Sequence, residues 1–377
     1  MKEIGIYVHI PFCKSKCYYC DFTSFAKKEQ FENEYVECLL KEIKHRAKDT
    51  YLVKTIYIGG GTPSYIDYCY IEKVLKVINS FYNVDKNAEI TIEVNPGTAN
   101  KEKLKSYYEA GINRLSIGLQ SANNKLLKEI GRIHTFEDYE KTVKLAREVG
   151  FKNINSDVII GLPNQTIYDV EETLNKLIDL KLEHISVYSL IIEPGTMLDR
   201  LINEGKLKLP DEEIERYMYW FAKRKLEENN YKHYEISNFA KEGYYSKHNM
   251  DCWNQKEYLG FGIAASSYEN KKRYTNTHKL EKYLKNVNLN NYNDIFKIEE
   301  EQDNKTEMNE YIMLGLRKIE GVKLEDFRKK FKKDLLSEYQ NQIKKLLIED
   351  LIEVDFESVK LSKKGLDLAN IVWEEFI

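Results

Sequence analysis

The first half of the chain alternates short strand-like runs with amphipathic helical segments, and this alternation restricts the fold more than any other feature. The runs are rich in Ile, Val and Tyr and read IGIYVHI, KTIYIGGG, EITIEVN, RLSIGLQ, SDVIIGL and HISVYSLII. The segments between them, for example FENEYVECLLKEIKHRA, carry apolar residues three and four positions apart, which is typical of helices that cover a sheet. Strands that alternate with helices predict parallel βα units. Six such units in series predict an α/β fold, an open (β/α)6 partial TIM barrel.

Each predicted strand runs directly into a turn. The turns read IPFC, GGGTPS, NPG, QS, GLP and EPGT in chain order. In barrels of βα units the active site is built from the loops at the carboxyl ends of the strands. We therefore expect these six turns to meet at one mouth of the barrel.

The first of these turns contains three cysteines, Cys13, Cys17 and Cys20, at the spacing C-x3-C-x2-C. A 4Fe-4S cluster has four irons, and thiolates are their usual protein ligands. Because the next cysteine, Cys38, lies in a predicted helix, one iron lacks a protein thiolate. S-adenosylmethionine can chelate such an iron and is then placed for one-electron cleavage to a 5'-deoxyadenosyl radical. A zinc site made of these cysteines and His9 stays open as an alternative.

The motif CxxxCxxC after the first strand of a βα barrel resembles the signature of the radical SAM superfamily. The segments HIPFCKSKCYYCDF, YIGGGTPS, EVNPG, RLSIGLQS and DVIIGLPNQT resemble one branch of it, which contains the oxygen-independent coproporphyrinogen III oxidases and the HemW-type heme chaperones. The resemblance covers residues 1 to about 270. It implies a 4Fe-4S cluster on the three cysteines and S-adenosylmethionine on the open iron.

The resemblance also implies which residues bind S-adenosylmethionine. The glycines of GGGTPS allow the backbone to approach the methionyl end closely. Carboxylates suit ribose hydroxyls, and an arginine suits a carboxylate. Ordinary salt bridges are the alternative for the charged residues. The implied contacts are Tyr7, Tyr19, Gly60, Gly61, Thr62, Glu93, Gln120, Arg132 and Asp157.

Two differences from the oxidase pattern favour the chaperones. The first cysteine already stands at position 13, without the oxidase's N-terminal extension, and Phe22 replaces the fourth cysteine that oxidases carry two residues past the triad. The resemblance therefore implies a protein that binds heme as cargo and passes it to an acceptor protein, soluble or membrane-bound. Oxidative decarboxylation of coproporphyrinogen III is the alternative, and a radical enzyme for an unrelated substrate also stays open.

The segment KHNMDCWN resembles the HNxxYW heme-binding motif of the chaperones. Since imidazole is a common axial ligand of heme iron, His248 is the candidate heme ligand. Cys252 stands where the motif has tyrosine, either as a heme contact or as a buried inert thiol. The alternative for His248 is a hydrogen-bonded core histidine packed against Trp253.

The pattern divides the chain into four parts. These are the barrel, 1–209; a barrel extension with the heme motif, 210–270; an Asn- and Lys-rich connector with little core of its own, 271–304; and a smaller, mainly helical, winged-helix-like C-terminal domain, 305–377.

Composition restricts the remaining classes of function and location. The 58 Lys and Arg nearly balance the 61 Asp and Glu, which leaves a net charge of -3 and no field that would attract nucleic acid. We expect the basic stretch RKKFKKD to be a solvated helix face. There is neither a secretory signal nor an apolar run long enough for a transmembrane helix, so the prediction is a cytoplasmic protein. Whether it forms a homodimer is left open.

Overall fold

The computed structural model describes all residues from Met1 to Ile377. Its strands are β1 Lys2–Ile10, β2 Phe12–Cys13, β3 Phe25–Ala26, β4 Tyr51–Gly60, β5 Asn83–Val94, β6 Arg114–Gln120, β7 Ile154–Ile160, β8 His184–Ser189, β9 Lys232–Glu235, β10 Asn238–Ala240, β11 Tyr258–Phe261, β12 Ser266–Glu269, β13 Lys272–Asn276, β14 Phe296–Glu301, β15 Val322–Lys323, β16 Ile352–Val354 and β17 Ser358–Leu361.

The α-helices follow the strands in the expected alternation through the first half of the chain. They are α1 Glu32–His45, α2 Tyr68–Phe81, α3 Lys101–Glu109, α4 Asn124–Glu129, α5 Phe136–Val149, α6 Ile167–Asp179, α7 Met197–Asn203, α8 Glu212–Glu228, α9 Lys247–Trp253, α10 Leu280–Asn288, α11 Asn304–Gly315, α12 Leu324–Phe331, α13 Leu335–Glu338, α14 Gln340–Ile348, α15 Lys363–Asp367 and α16 Ala369–Glu374. Short 3-10 turns occur at Glu29–Phe31 and Tyr292–Asp294.

The six predicted strands form the parallel centre of the main sheet, in the order β1-β4-β5-β6-β7-β8. This confirms the prediction of serial βα units, because each strand lies beside the next one along the chain. Beyond β1 the sheet continues through β11, which is parallel to it, and then through antiparallel β12, β13 and β14. Beyond β8 it continues through β10 and β9.

The two faces of the central strands differ in polarity. In β6, Leu115 and Ile117 join a hydrophobic core of 58 buried residues between sheet and helices. Because side chains alternate along a strand, Arg114, Ser116 and Gly118 share the opposite, inner face. Apolar branched side chains usually fill the inside of such barrels, whereas this inner face is polar. A ligand inside the barrel would therefore contact mainly polar side chains.

Local sequence fixes where the outer helices begin. Thr135 caps α5 in a reciprocal capping box with Asp138, and Thr166 caps α6 in the same way with Asp169. Each pair satisfies backbone N–H groups that a helix start otherwise leaves free. The helices therefore start directly after the loops at the barrel mouth.

The prediction of a connector with little core at residues 271–304 is wrong. This stretch supplies β13 and β14 of the main sheet and helix α10, which packs against α1. In α10, Leu280, Tyr283, Leu284 and Val287 are buried in the main core. Their spacing is helical, but the many Asn and Lys residues around them hide the apolar signal. Within the predicted barrel extension, residues 231–269 form β9 to β12 and α9.

The C-terminal region has a hydrophobic core of its own, with 16 buried residues that include Met308, Phe327 and Val372. It is mainly helical, with a three-stranded antiparallel sheet in the order β15-β17-β16. In the basic stretch RKKFKKD, which begins in α12, Lys329 and Lys330 each form an ion pair with a glutamate. None of the helices has both the length and the apolar character that a membrane crossing requires.

Candidate functional site

The cysteine loop between β1 and α1 is held on two sides. On one side, the Gly61 amide after β4 donates a hydrogen bond of 2.8 Å to the Ile10 carbonyl. On the other, the Tyr18 amide donates to the Ile130 carbonyl at the end of α4 at 3.0 Å, and the Leu198 amide donates to the Tyr18 carbonyl at 2.8 Å. The loop is therefore fixed to three different parts of the barrel mouth.

A cavity of about 520 Å³ opens at this mouth, at the carboxyl ends of the central strands. It brings together almost all of the residues that the sequence predicted for the cluster and S-adenosylmethionine. Those that line it are Cys13, Cys17, Cys20, Tyr19, Gly60, Gly61, Thr62, Glu93, Gln120, Arg132 and Asp157. Tyr7 does not line the cavity. Its ring stacks on that of Tyr57, which does, with the ring centroids 6.2 Å apart.

The three thiols fit a 4Fe-4S cluster. Two of them have hydrogen-bond donors that favour a thiolate: Thr62 Oγ1 donates to Cys13 Sγ at 3.4 Å, and Arg132 Nη1 donates to Cys17 Sγ at 3.5 Å. Burial raises the pKa of Cys13 and of Cys20, so a metal is needed to hold both as thiolates at neutral pH. When bound and reduced, such a cluster supplies one electron to the sulfonium of S-adenosylmethionine.

The structure argues against the zinc alternative. Both ring nitrogens of His9 are engaged, Nδ1 with the Tyr7 hydroxyl at 3.0 Å and Nε2 with the Thr23 carbonyl at 2.8 Å. His9 therefore supports the cysteine loop rather than supplying a ligand.

The carboxylates Glu93 and Asp157 face the cavity from neighbouring parts of the sheet. Glu93 accepts hydrogen bonds from the Tyr57 hydroxyl at 2.9 Å and from the Gly60 amide at 3.1 Å. Asp157 accepts one from Asn155 Nδ2 at 2.8 Å. Burial, with a contribution from the Asp157 charge, raises the pKa of Glu93 to about 7, and burial also raises the pKa of Asp157. Ribose hydroxyls would donate hydrogen bonds to these carboxylates and offset the cost of burying their charge, so the pair suits a nucleoside.

Arg132 is oriented by the turn after β5. Its Nη2 donates to Asn95 Oδ1 at 3.0 Å and to the Gly118 carbonyl, while its buried Nε has no partner within the protein. Asn95 Nδ2 in turn donates to Thr62 Oγ1 at 2.8 Å. A buried guanidinium with a free N–H suits the carboxylate of an amino acid ligand.

Gly118 is required for this arrangement, because a Cβ atom there would lie 2.7 Å from Arg132 Nη2. We expect Gly118→Ala to displace the guanidinium and to weaken S-adenosylmethionine binding about tenfold, since a charged hydrogen bond contributes about 1.5 to 3 kcal/mol. Isothermal titration after anaerobic cluster reconstitution measures this. Arg132→Lys in the same background is the control: if Gly118→Ala acts through Arg132, the double variant binds no more weakly than Arg132→Lys alone.

The heme-motif residues lie away from the cavity, on α9. His248 is buried, its Nδ1 is 2.8 Å from Thr55 Oγ1, and its ring lies against Tyr57 at 5.3 Å rather than against Trp253. Burial lowers the pKa of His248 to about 4, so the imidazole is neutral. Burial raises the pKa of Cys252 to about 12, which keeps that half-buried thiol protonated.

Sequence reasoning missed two residues that shape the mouth. Asn95, which links Arg132 to Thr62, lies in the NPG turn, and its position there was the available signal. His134 is buried and its Nε2 lies 3.2 Å from the Leu119 carbonyl, next to the cysteine side of the site. Nothing in the local sequence around His134 distinguishes it from a surface histidine.

Comparison with protein families agrees with this fold and site. Residues 7–177 match the radical SAM superfamily, and residues 302–368 match the HemN C-terminal domain. In fold, the chain resembles the solved structure of HemN, the coproporphyrinogen III oxidase of Escherichia coli. The TM-score is 0.86 over 100% of this chain and 90% of that one, at 23% identity. The fold and the site thus define a radical SAM protein with a C-terminal domain of the HemN type.

Curated relatives narrow the class. The chain is 38% identical over 376 residues to the heme chaperone HemW of Lactococcus lactis, with 100% of this chain and 98% of the relative covered. It is 37% identical to the heme chaperone HemW of Bacillus subtilis, with 98% of each chain covered. It is 36% identical to that of Escherichia coli, over 70% of each chain. The chain belongs to the HemW family.

Proposed function

We propose that this chain is a heme chaperone that binds heme through His248 and passes it to an acceptor protein. The full-length similarity to HemW chaperones carries this proposal. The cluster and S-adenosylmethionine would regulate the transfer or set its redox state. Because an open cluster needs a reducing compartment, we place the protein in the cytoplasm.

The chemistry of His248 supports the assignment of the heme ligand. Heme iron is ligated by a neutral imidazole nitrogen whose partner nitrogen is usually hydrogen-bonded. In His248, Nδ1 is held by Thr55 Oγ1, which leaves Nε2 as the nitrogen for the iron. Since burial keeps the ring neutral, its lone pair is not lost to a proton at physiological pH.

His248 is only 7% exposed, so a porphyrin reaches it only if α9 moves. The first turn of α9 is fixed by Glu89, whose carboxylate accepts hydrogen bonds of 3.1 Å from the amides of Lys247 and His248. A carboxylate at a helix N-terminus also interacts favourably with the helix dipole. This end of the helix, which carries His248, is therefore held to β5, and exposure of His248 requires these hydrogen bonds to open as well.

The other end of α9 is held by the C-terminal region. Lys318 Nζ donates to Asn254 Oδ1 at 2.7 Å. The Arg317 guanidinium stacks over the Trp253 ring at 4.4 Å and over the Trp373 ring at 5.3 Å. Movement of α9 thus requires these contacts with the C-terminal region to open.

We expect Arg317→Met to speed heme binding about tenfold, because opening must overcome both the stacking, which contributes roughly 0.5 to 2 kcal/mol, and the ion pair of Arg317 with buried Glu235. Stopped-flow absorbance after mixing with hemin measures the rate. Arg328→Met, which removes a mostly exposed ion pair with Asp334, is the matched control and should leave the rate unchanged. Equal rates for both variants and the parent protein would contradict opening at this end.

The proposed function is tested by two parallel assays on the reconstituted protein. Heme binding is followed by the Soret band, and oxidase activity by anaerobic conversion of coproporphyrinogen III to protoporphyrinogen. We expect stoichiometric heme binding, transfer to an apo-hemoprotein, and no protoporphyrinogen. Protoporphyrinogen formed over many turnovers would contradict the chaperone function and support the oxidase function instead.

A further inference from the structure

The barrel interior contains an arginine without a counter-ion. Arg114, the first residue of β6, is 2% exposed and is among the largest buried side chains of the protein. Its Nε has no hydrogen-bond partner, and neither does the hydroxyl of Thr91, its neighbour across the sheet. A buried charge is costly unless charges or dipoles around it compensate, so its retention needs a reason.

Most other arginines of low exposure pair with a carboxylate, whereas Arg132 bonds to Asn95 and the Gly118 carbonyl. Arg46, Arg147, Arg273 and Arg317 each lie close to a glutamate. Arg114 takes part in no ion pair. No ion pair therefore explains the burial of Arg114, and its charge acts on groups at longer range.

The position of Arg114 identifies those groups. Side chains two residues apart share a face of a strand, so Arg114 lies directly below Ser116, which lines the cavity. Glu93 on β5 and Asp157 on β7, the strands on either side of β6, line the same cavity. In the strand register, Arg114 pairs with Thr91, two residues before Glu93 on β5, and it lies four residues before Gly118, the β6 partner of Asp157 on β7. Titratable and charged groups around this interior are Tyr57, Glu89, Glu93, Arg132, Asp157, His184, Tyr188, Tyr234 and His248.

We propose that Arg114 is a positioning residue of the S-adenosylmethionine site, whose fixed positive charge favours the ionised form of the Glu93 and Asp157 carboxylates and orients them toward the bound nucleoside. This rests on the proposed S-adenosylmethionine site. The positive charge of Arg114 lowers the pKa of both carboxylates and opposes the effect of their burial. Because a ribose hydroxyl donates to an ionised carboxylate more strongly than to a protonated one, loss of Arg114 weakens binding near and below the pKa of the carboxylates and has little effect at a pH where they stay ionised.

The test is S-adenosylmethionine affinity as a function of pH, from pH 5.5 to 9, on the full-length reconstituted protein. In the parent protein we expect affinity to rise with pH as Glu93 ionises near pH 7 and then to level off. Arg114→Met should move this midpoint to higher pH by about one unit and lower the affinity at pH 7 about fivefold. Arg114→Lys, which keeps the charge, should restore the midpoint.

A measurement without S-adenosylmethionine distinguishes the positioning role of Arg114 from an effect on folding. Carboxyl ¹³C NMR of the full-length, cluster-free protein should show the Glu93 titration shifted upward in Arg114→Met. Arg147→Met, which removes a paired arginine on the outer helix α5, should leave it in place. A uniform loss of affinity with an unmoved midpoint would overturn the proposal. If the parent protein itself failed to bind S-adenosylmethionine, the proposed site would fail instead.

Discussion

Replacing Cys17 with serine is expected to abolish the iron–sulfur cluster. The three thiols of the loop are the only cysteines in the cavity, so the variant retains two thiolates for a cluster that needs three protein ligands. The replacement also removes the sulfur to which Arg132 donates. Iron and sulfide content, together with the visible absorbance of the cluster after anaerobic reconstitution, measure the loss.

Cys69→Ser is the matched control for this experiment. Cys69 is half-buried in the first turn of α2 and is not part of the cavity. We expect this variant to reconstitute like the parent protein. Full iron and sulfide in Cys17→Ser, or zinc bound in place of iron in the parent protein after anaerobic work, would contradict the assignment of the cysteine loop.

Replacing His248 with alanine is expected to remove heme ligation while leaving the cluster in place. The imidazole lies on α9, outside the cavity that contains the cysteines, so the two sites are separable. The parent protein should show the Soret band of a histidine-ligated heme, and the variant that of unligated or weakly bound heme. Optical titration with hemin and iron analysis of the same sample measure both results.

Two further variants keep this test specific. His248→Gln retains a polar group for Thr55 Oγ1 and should fold normally, yet it lacks the imidazole. His45→Ala removes an exposed histidine that stacks on Tyr292, and it controls for adventitious heme binding at the surface. An unchanged heme spectrum in both His248 variants would exclude this residue as the ligand.

The barrel and its cluster loop were predictable because their signals are local. Strand periodicity, helical spacing and the C-x3-C-x2-C pattern all lie within short windows, and the rule that barrel loops converge supplied the common mouth. Eleven of the residues named from the sequence line one cavity for this reason. The prediction for the Asn- and Lys-rich stretch 271–304 was wrong because the four buried apolar residues of α10 lie among many polar neighbours.

The alternating strands and the cysteine spacing, readable from the sequence alone, determined the barrel and the place of the cluster. Only the tertiary structure decided that Arg114 is buried outside any ion pair and that the His248 side chain of α9 is enclosed against Thr55 and Tyr57. Both depend on contacts between residues far apart in the chain, such as Thr55 with His248 and Lys318 with Asn254. Such contacts leave no periodic trace, because burial and charge compensation are set by elements that meet only in the folded protein.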